Sequence, residues 1–449
     1  MGPSLDPEVL RGKDGGIFDV YRQLAEARGT PAAADKWLGT ARAALAIGEV
    51  ERARTFLEGF LESDRNNLPA QLLLAKTYQT LGTEEALDDS VAVARSALSH
   101  AKAADDVLSA TTQLALALGT RARVHTRQQH DRQQDRAEAE QLLSSALTSA
   151  PSTSGPAVAA ARYSLAVLQA EQGTGAAAMA TARDALREAQ AVRDNQLTAL
   201  CLLLVSSLLS SRRQTKLALQ VLSAAPSQAG AAEGSLWSDV FVLRLRARLL
   251  DVRGDVPGSL EALAQCKRVL SGWAEGRAPL PAGVSRGEVE AALIELWGEL
   301  AQALAKSGQA AEAMAAADHA LALSPWAAPA RAALGAVHEA LGEPEAAAAA
   351  YGDALALDPT HAPALLRQGA MYARRGGRSE LAVARDMLAE ALRYDPACAA
   401  AWYQLGRVAL GLEHRAEAEE HLLTAVRLAA AAPALPFSSL PLAPPQAAA

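Results

Sequence analysis

The chain reads as all-α, a solenoid of about ten antiparallel helix pairs. Three observations point there. Half of the 449 residues are hydrophobic but only 4% are aromatic, and Ala and Leu, which lose little freedom in a helix, dominate the apolar set. The phrases ALALSP, ALALDP and ALRYDP end at Pro325, Pro359 and Pro396, the first two prolines 34 residues apart and the next two 37 apart. Between these prolines, small and large apolar residues recur in one phase, as stacked units that share a core require.

A spacing of 34 residues is the tetratricopeptide period. In the phrase ending at Pro359, the small positions fall on Gly335, Ala347 and Ala354 and the large ones on Leu334 and Tyr351, with Gly342 at the turn. The preceding copy supplies Trp297, Leu300, Gly308, Ala313, Ala320 and Pro325. The next supplies Gly369, Tyr372, Ala384, Leu388, Ala391 and Pro396, and the last Trp402, Leu405, Gly406, Ala418, Leu422 and Ala425. Small residues let helix axes approach, bulky ones fill the grooves, and proline marks the exit from the second helix. An alanine run such as Ala346–Ala350 is therefore read as close packing and helix propensity rather than low-complexity filler.

Fainter copies precede these four. They centre on Trp37 with Gly48 and Ala53; on Ala75, Tyr78 and Gly82; on Ala139, Leu143, Ala146 and Pro151; on Gly173, Ala178 and Ala185; on Leu202, Leu209, Ala218, Leu222 and Ala225; and on Leu243, Ala247, Leu250, Gly254, Leu263 and Cys266. The expected organisation is a partly disordered segment 1–30, a divergent array 31–270, a Gly/Pro-rich linker 271–289, four strong repeats 290–430 and a Pro-rich tail 431–449. The polar run 121–136 is read as an insertion or as a helix extending past its layer. The array is expected to wind as a right-handed superhelix, with first helices lining its concave face.

Composition excludes several functions. The net charge of −7 and pI near 5.7 lack the basic footprint of a nucleic-acid binder. Cys201, Cys266 and Cys398 are far apart and form no CxxC, so neither a zinc ribbon nor a disulfide framework is expected; Cys266 falls where a small buried residue belongs. The N-terminus has no apolar signal region and fails the myristoylation pattern, with Asp6 where Ser or Thr is needed. The most apolar run, Ala199 to Val205, is far below the ~20 residues of a spanning helix. The chain is expected to be soluble and not inserted in a membrane. No phosphate loop, HExxH or EF-hand pattern occurs. GVSRG, Gly283 to Gly287, formally matches GxSxG, but without the strand-turn-helix setting that would activate Ser285. His125, His130, His414 and His421 are read as solvent-facing. No cofactor and no catalysis are expected.

Two groups of residues are candidate partner sites. Repeat phase nominates Arg331, Gln368, Tyr403 and Gln404 on first helices. The segment DVFVLRLRARLL, Asp239 to Leu250, interleaves Phe241, Leu243, Leu245 and Leu249 with Arg244, Arg246 and Arg248. A basic amphipathic helix with bulky anchors suits a calmodulin-type groove. The same helix equally fits the first helix of a repeat with its leucines already buried. SRRQTKLALQVL, Ser211 to Leu222, carries the same ambiguity.

The tail AVRLAAAAPALPFSSLPLA resembles the C-terminus of the tetratricopeptide repeat protein seven family, with Pro433, Leu435, Pro436 and Phe437 matching its closing phrase. AYGDALALDPTHAPAL is similar to wording in that family, and the order of polar run, weak repeats, variable linker and four strong repeats also matches. The resemblance runs from about Trp37 to Phe437. Plant members are the no-pollen-germination proteins, described as calmodulin-binding. The resemblance implies a non-catalytic scaffold of a plasma-membrane phosphatidylinositol 4-kinase complex. Its partners would be the kinase, a hyccin-like subunit and a palmitoylated membrane-anchor protein. A cytoplasmic chain recruited peripherally to the membrane is expected. Family members are about twice as long, so this chain corresponds to their C-terminal half. Calcium-dependent calmodulin binding and a generic peptide-binding adaptor are the alternatives.

Overall fold

The computed structural model describes residues 31–46, 48–124, 127, 129–149, 155–225, 236–281 and 284–443. Among these, twenty α-helices follow one another and no strand occurs. They are α1 (Pro31–Ala46), α2 (Val50–Ser63), α3 (Leu68–Leu81), α4 (Glu84–His100), α5 (Ala104–Ala122), α6 (Gln129–Ser149), α7 (Pro156–Glu171), α8 (Gly175–Val192), α9 (Asn195–Ser211) and α10 (Thr215–Ser223). Then come α11 (Trp237–Val252), α12 (Val256–Ala274), α13 (Arg286–Lys306), α14 (Ala310–Leu323), α15 (Ala328–Leu341), α16 (Pro344–Leu357), α17 (Ala362–Arg375), α18 (Arg378–Tyr394), α19 (Ala399–Gly411) and α20 (Arg415–Ala431). Ten pairs, α1–α2 to α19–α20, account for all of them. The expected segment 1–30, Pro151, His125 and Gly283 lie outside the described residues.

The chain divides into two compact units. One holds residues up to Cys201, Leu280–Glu288 and Leu440 onward; the other holds Leu202–Pro279 and Val289–Ser439. The chain thus passes from one unit to the other inside α9, twice within 271–289, and once more at Leu440.

Local chemistry sets the helix ends. Asn67 and Thr83 cap α3 and α4 by accepting from Ala70 N (3.1 Å) and Ala86 N (3.3 Å), and Asp255 caps α12 through Gly258 N (3.1 Å). The turn inside a pair needs one residue at positive φ. Gly308 and Gly342 provide it at 81° and 79°, where an L side chain would be strained. Arg193, Arg213 and Glu413 hold the same conformation without being glycine, at φ 59°, 60° and 67°.

In the first unit, Trp37 meets Phe56 edge-on with ring centroids 6.1 Å apart, and Leu57, Leu74 and Tyr78 complete the cluster over α1–α4. In the second, Tyr351 is buried among Ala347, Ala354, Ala364 and Met371, and Leu388 and Leu405 build the next layer. The apolar run of α9 is buried without a break from Leu197 to Ser210. An amphipathic stripe would not suffice there, and the buried run is apolar except for Thr198, Ser206, Ser207 and Ser210. No helix among the described residues is long and apolar enough to cross a membrane.

Of the two interruptions in the repeat pattern, the first fits one of its two sequence readings and the second is more helical than its reading. In the polar run 121–136, α5 ends at Ala122 and α6 begins at Gln129, so its second half is helix. Arg132 and Asp135 are buried. Arg121 donates to both Asp135 oxygens, Nε at 2.9 Å and NH2 at 2.7 Å, and to Asp88 at 2.9 Å. Arg127 reaches the same Asp88 at 3.0 Å. The charges are mutual partners between helices, which an unstructured insertion would not need. The linker 271–289 is also shorter than expected. Ser271–Ala274 finishes α12, Arg286–Val289 opens α13, and Trp273, Ala278, Val284 and Val289 are buried. Apolar side chains at four points tie the stretch down.

Candidate protein-interaction surface

The basic segment Asp239 to Leu250 lies within α11, and its apolar anchors are taken. Leu243, Leu245 and Leu249 are buried, and Phe241 packs edge-on against Trp237, centroids 5.6 Å apart, with Trp273 on the other side of that indole at 6.0 Å. The arginines divide. Arg244 is buried and donates to Glu299 at 2.8 Å and Glu295 at 3.0 Å; Arg248 donates to the same Glu299 oxygen at 2.7 Å. Burial would raise the Glu299 pKa, but Arg244 and Arg248 beside it reverse this and hold its carboxyl below the ordinary range. Arg246 alone of the three is exposed. Of the two readings of this helix, the packing agrees with leucines buried in a repeat, and a calmodulin-type groove could take them only if α11 left that repeat.

The four nominated groove residues are not equivalent. Arg331 stands 34 residues after Trp297, in the register that Trp297 and Trp402 occupy in their own repeats. It is half-buried and 3.8 Å from Asp353 on α16. Gln368 immediately precedes Gly369, as Leu334 and Leu405 precede Gly335 and Gly406, and it too is half-buried. Register thus puts both at packing positions between helices, a correction to their nomination as groove residues. Gln404 is half-buried with Arg407 at 3.4 Å. Tyr403 is 49% exposed.

Tyr403 has company that the repeat pattern did not signal. On α19, Leu410 lies seven residues on, about two turns along the same face, and is 52% exposed. On α20, Leu423 and Val426, three residues apart and thus neighbours on one face, are 49% and 66% exposed. Large apolar side chains are thus exposed on both helices of one pair.

A second feature lies on α12, α13 and α14. A cavity of about 540 Å³ is lined by Leu260, Lys267, Trp297, Leu304, Glu312 and His319 among others. Trp297 stacks on His319 with centroids 4.7 Å apart and planes at 24°. The Lys267 ammonium sits 4.7 Å from the same ring, a cation–π contact. The expected packing residue Trp297 thus forms a wall of an open space. In the last repeat Trp402 behaves differently: its Nε1 donates to Pro396 O at 2.9 Å, fixing the loop before α19.

The remaining repeat positions serve packing. A Cβ on Gly335 would lie 2.8 Å from the Tyr351 ring, and on Gly369 and Gly406, 3.0 and 2.7 Å from Leu388 and Leu422. Ala347, Ala354 and Ala418 are buried. Tyr372 is half-buried with Arg375 over its ring, 5.3 Å from the centroid. Pro359 and Pro396 sit in the turns after α16 and α18. Tyr351 donates to Glu339 at 3.1 Å, and Arg374 and Arg367 close on the same carboxylate, Arg367 at 3.7 Å.

The candidate chemical groups resolve as structure. Ser285 caps α13: its N and Oγ reach Glu288 at 2.7 and 2.8 Å, and Glu288 N donates back to its Oγ at 3.2 Å. This is a capping box, legible in the sequence as Ser-x-x-Glu. Burial pushes the Cys266 thiol up to about 12 and raises that of Cys201 still further. Among the described residues no cluster of three or more His, Cys, Asp or Glu could hold a metal.

Comparison with known proteins agrees with this architecture. Tetratricopeptide repeat family models match residues 129–192 and residues 294–325, 328–361 and 399–431. No curated protein matches the chain in sequence. The crystal structure of yeast Tom70 superposes with a TM-score of 0.51 at 13% identity, covering 94% of this chain and 93% of that one. Two crystal structures of MamA match at 18% and 20% identity, covering 42% and 40% of this chain and 92% of theirs, each with a TM-score of 0.27. The chain carries tetratricopeptide repeats in an all-α solenoid with a fold like that of yeast Tom70.

Proposed function

We propose that the chain is a non-catalytic scaffold whose main protein contact is the α19–α20 pair. The observation that carries this reading is the exposure of Tyr403, Leu410, Leu423 and Val426 on those two helices. The tail resemblance at Pro433, Leu435, Pro436 and Phe437 favours one assembly, a plasma-membrane phosphatidylinositol 4-kinase complex with a hyccin-like subunit and a palmitoylated anchor. In it the chain is cytoplasmic and reaches the membrane through its partners. The test is co-purification of the intact chain with such a kinase and hyccin-like subunit. Tyr403→Asp with Leu410→Asp is expected to lose both without loss of helicity. Retention of both by that variant would refute the surface, and failure of the unaltered chain to bind either would refute the assembly.

A generic peptide-binding adaptor is the second reading, favoured by the cavity at Lys267, Trp297 and His319, whose aromatic wall and cation suit an acidic or aromatic side chain. Calcium-dependent calmodulin binding ranks third, because it requires α11 to detach from Glu295 and Glu299. Titration with calmodulin in calcium and in chelator separates it from the others.

A further inference from the structure

The last described residues do not hang free. Leu440 and Leu442 are buried, at 1% and 8% exposure, within the first unit, to which residues from Leu440 onward belong. Their seat is built from α5 and α7. Arg123, just past the end of α5, donates to Leu440 O at 3.0 Å. Tyr163 of α7 donates its hydroxyl to Pro441 O at 2.9 Å. Glu171, itself buried, holds the Arg123 guanidinium through Nε at 2.9 Å and NH2 at 2.5 Å. That leaves NH1 aimed at the bound segment. Gly119 makes the floor: a Cβ there would meet Leu442 at 3.2 Å and Leu168 at 3.2 Å.

Each element meets the backbone or the side chains of the segment. Two consecutive carbonyls are taken by side-chain donors. Proline between the leucines has no N–H to leave unpaired. The two leucines bury the apolar surface. Side-chain donors that meet consecutive carbonyls in this way can recognise a short peptide segment, and Tyr163, fully buried, has its hydroxyl directed at the Pro441 carbonyl.

We propose that this seat is a peptide-recognition site for a Leu-Pro-Leu segment. The chain's own Leu440–Leu442 fills it, and a partner bearing the same segment binds by displacing that tail. The site is made of helices other than those of the surface proposed above and does not depend on it. Tethering gives the tail an effective concentration of the order of millimolar. A free peptide should therefore compete poorly with the intact tail and bind well once the tail is expelled.

The experiment uses the full chain and a fluorescent peptide with the sequence of Ser438 to Ala443, SSLPLA. In Leu440→Asp, Leu442→Asp, binding is expected at least about tenfold tighter than to the unaltered chain. Adding Arg123→Ala to that variant should weaken binding by about tenfold or more, the loss of one charge-assisted hydrogen bond. Equal affinity for the unaltered chain and the double variant overturns the proposal, as does no binding to a double variant of unchanged helicity. Should the double variant unfold, hydrogen exchange on the unaltered chain decides. With several millimolar peptide, amides of residues 438–443 should exchange faster; no change would make the tail a fixed strut and overturn the proposal.

Discussion

The Tyr351 ring fills the space over Gly335, so closely that a Cβ on that glycine would lie 2.8 Å from two ring carbons. The two residues are on α15 and α16 of one pair, and their contact sets how near those helices approach. Tyr351 is buried there and donates to Glu339, so it cannot swing away without losing a partner. Gly335→Ala is expected to destabilise the chain by about 1–3 kcal/mol through overpacking. Gly352→Ala is the control, because its Cβ would meet only Gln368 Nε2 at 3.8 Å. A helix interior favours Ala over Gly by about 1 kcal/mol, so this change should stabilise. Thermal melts moving in the same direction for both would contradict the packing account.

Glu299 serves two arginines. Removing Arg244 strips the buried carboxylate of its principal partner, and Arg244→Ala should cost about 3 kcal/mol, as breaking a buried pair does. Arg246→Ala, two residues along and exposed, should stay within about 0.5 kcal/mol. Urea denaturation of the two variants gives the comparison. If they lose equal stability, the ion pairs do not anchor α11.

The same carboxyl sets a pH dependence. Burial opposes ionisation of Glu299, but Arg244 and Arg248 win and lower its folded pKa below the ordinary 4.5. A depressed carboxyl contributes stability that is fully present above the unfolded value and is lost as pH falls through the folded one. The unaltered chain should thus lose stability on acidification below 4.5, and Glu299→Gln should lose less over that window while starting lower at neutral pH. Parallel stability–pH curves would exclude Glu299 as a contributor.

His361 caps α17 in its neutral form, Nδ1 accepting from Ala364 N at 3.2 Å. Burial lowers its pKa from the ordinary 6.5, with Asp358 opposing. A lowered base destabilises the fold once protonated, so the cap's contribution is intact above 6.5 and fades as pH falls from there through the folded value. His361→Asn keeps an acceptor that does not titrate. Its stability should be flatter between neutral pH and pH 5. NMR titration of the imidazole gives the independent check, an unshifted midpoint being the contrary result.

Glu413 holds φ at 67° in the turn between α19 and α20, where the α13–α14 and α15–α16 pairs have Gly308 and Gly342. The left-handed region costs a side chain about 1–2 kcal/mol, partly offset by the backbone freedom glycine loses on folding. Glu413→Gly should therefore raise stability by about 0.5–1 kcal/mol. A fall in Tm would show that this turn is not strained.

The repeat itself was legible because its cause is local and periodic. Trp297, Gly335, Tyr351 and Pro359 stand at offsets that each pair must satisfy to pack on the next, so one phase along the chain predicts all ten pairs. Even the Ser285–Glu288 capping box could be read directly, being four residues long. Arg331 and Gln368 were misplaced for a related reason: they stand in registers that Trp and Leu hold elsewhere, and polarity masked the phase.

Composition, period and helix-forming residues determined by themselves that the chain is a stack of helix pairs, since these depend on neighbours in sequence. Tertiary structure decided whatever depends on residues far apart along the chain. Arg244 is a structural ion only because Glu299 comes to it from 55 residues away. Leu440 and Pro441 of the Pro-rich tail, which carries no periodicity, are held where Arg123 and Tyr163 donate to their carbonyls, and no pattern within the tail encodes those donors.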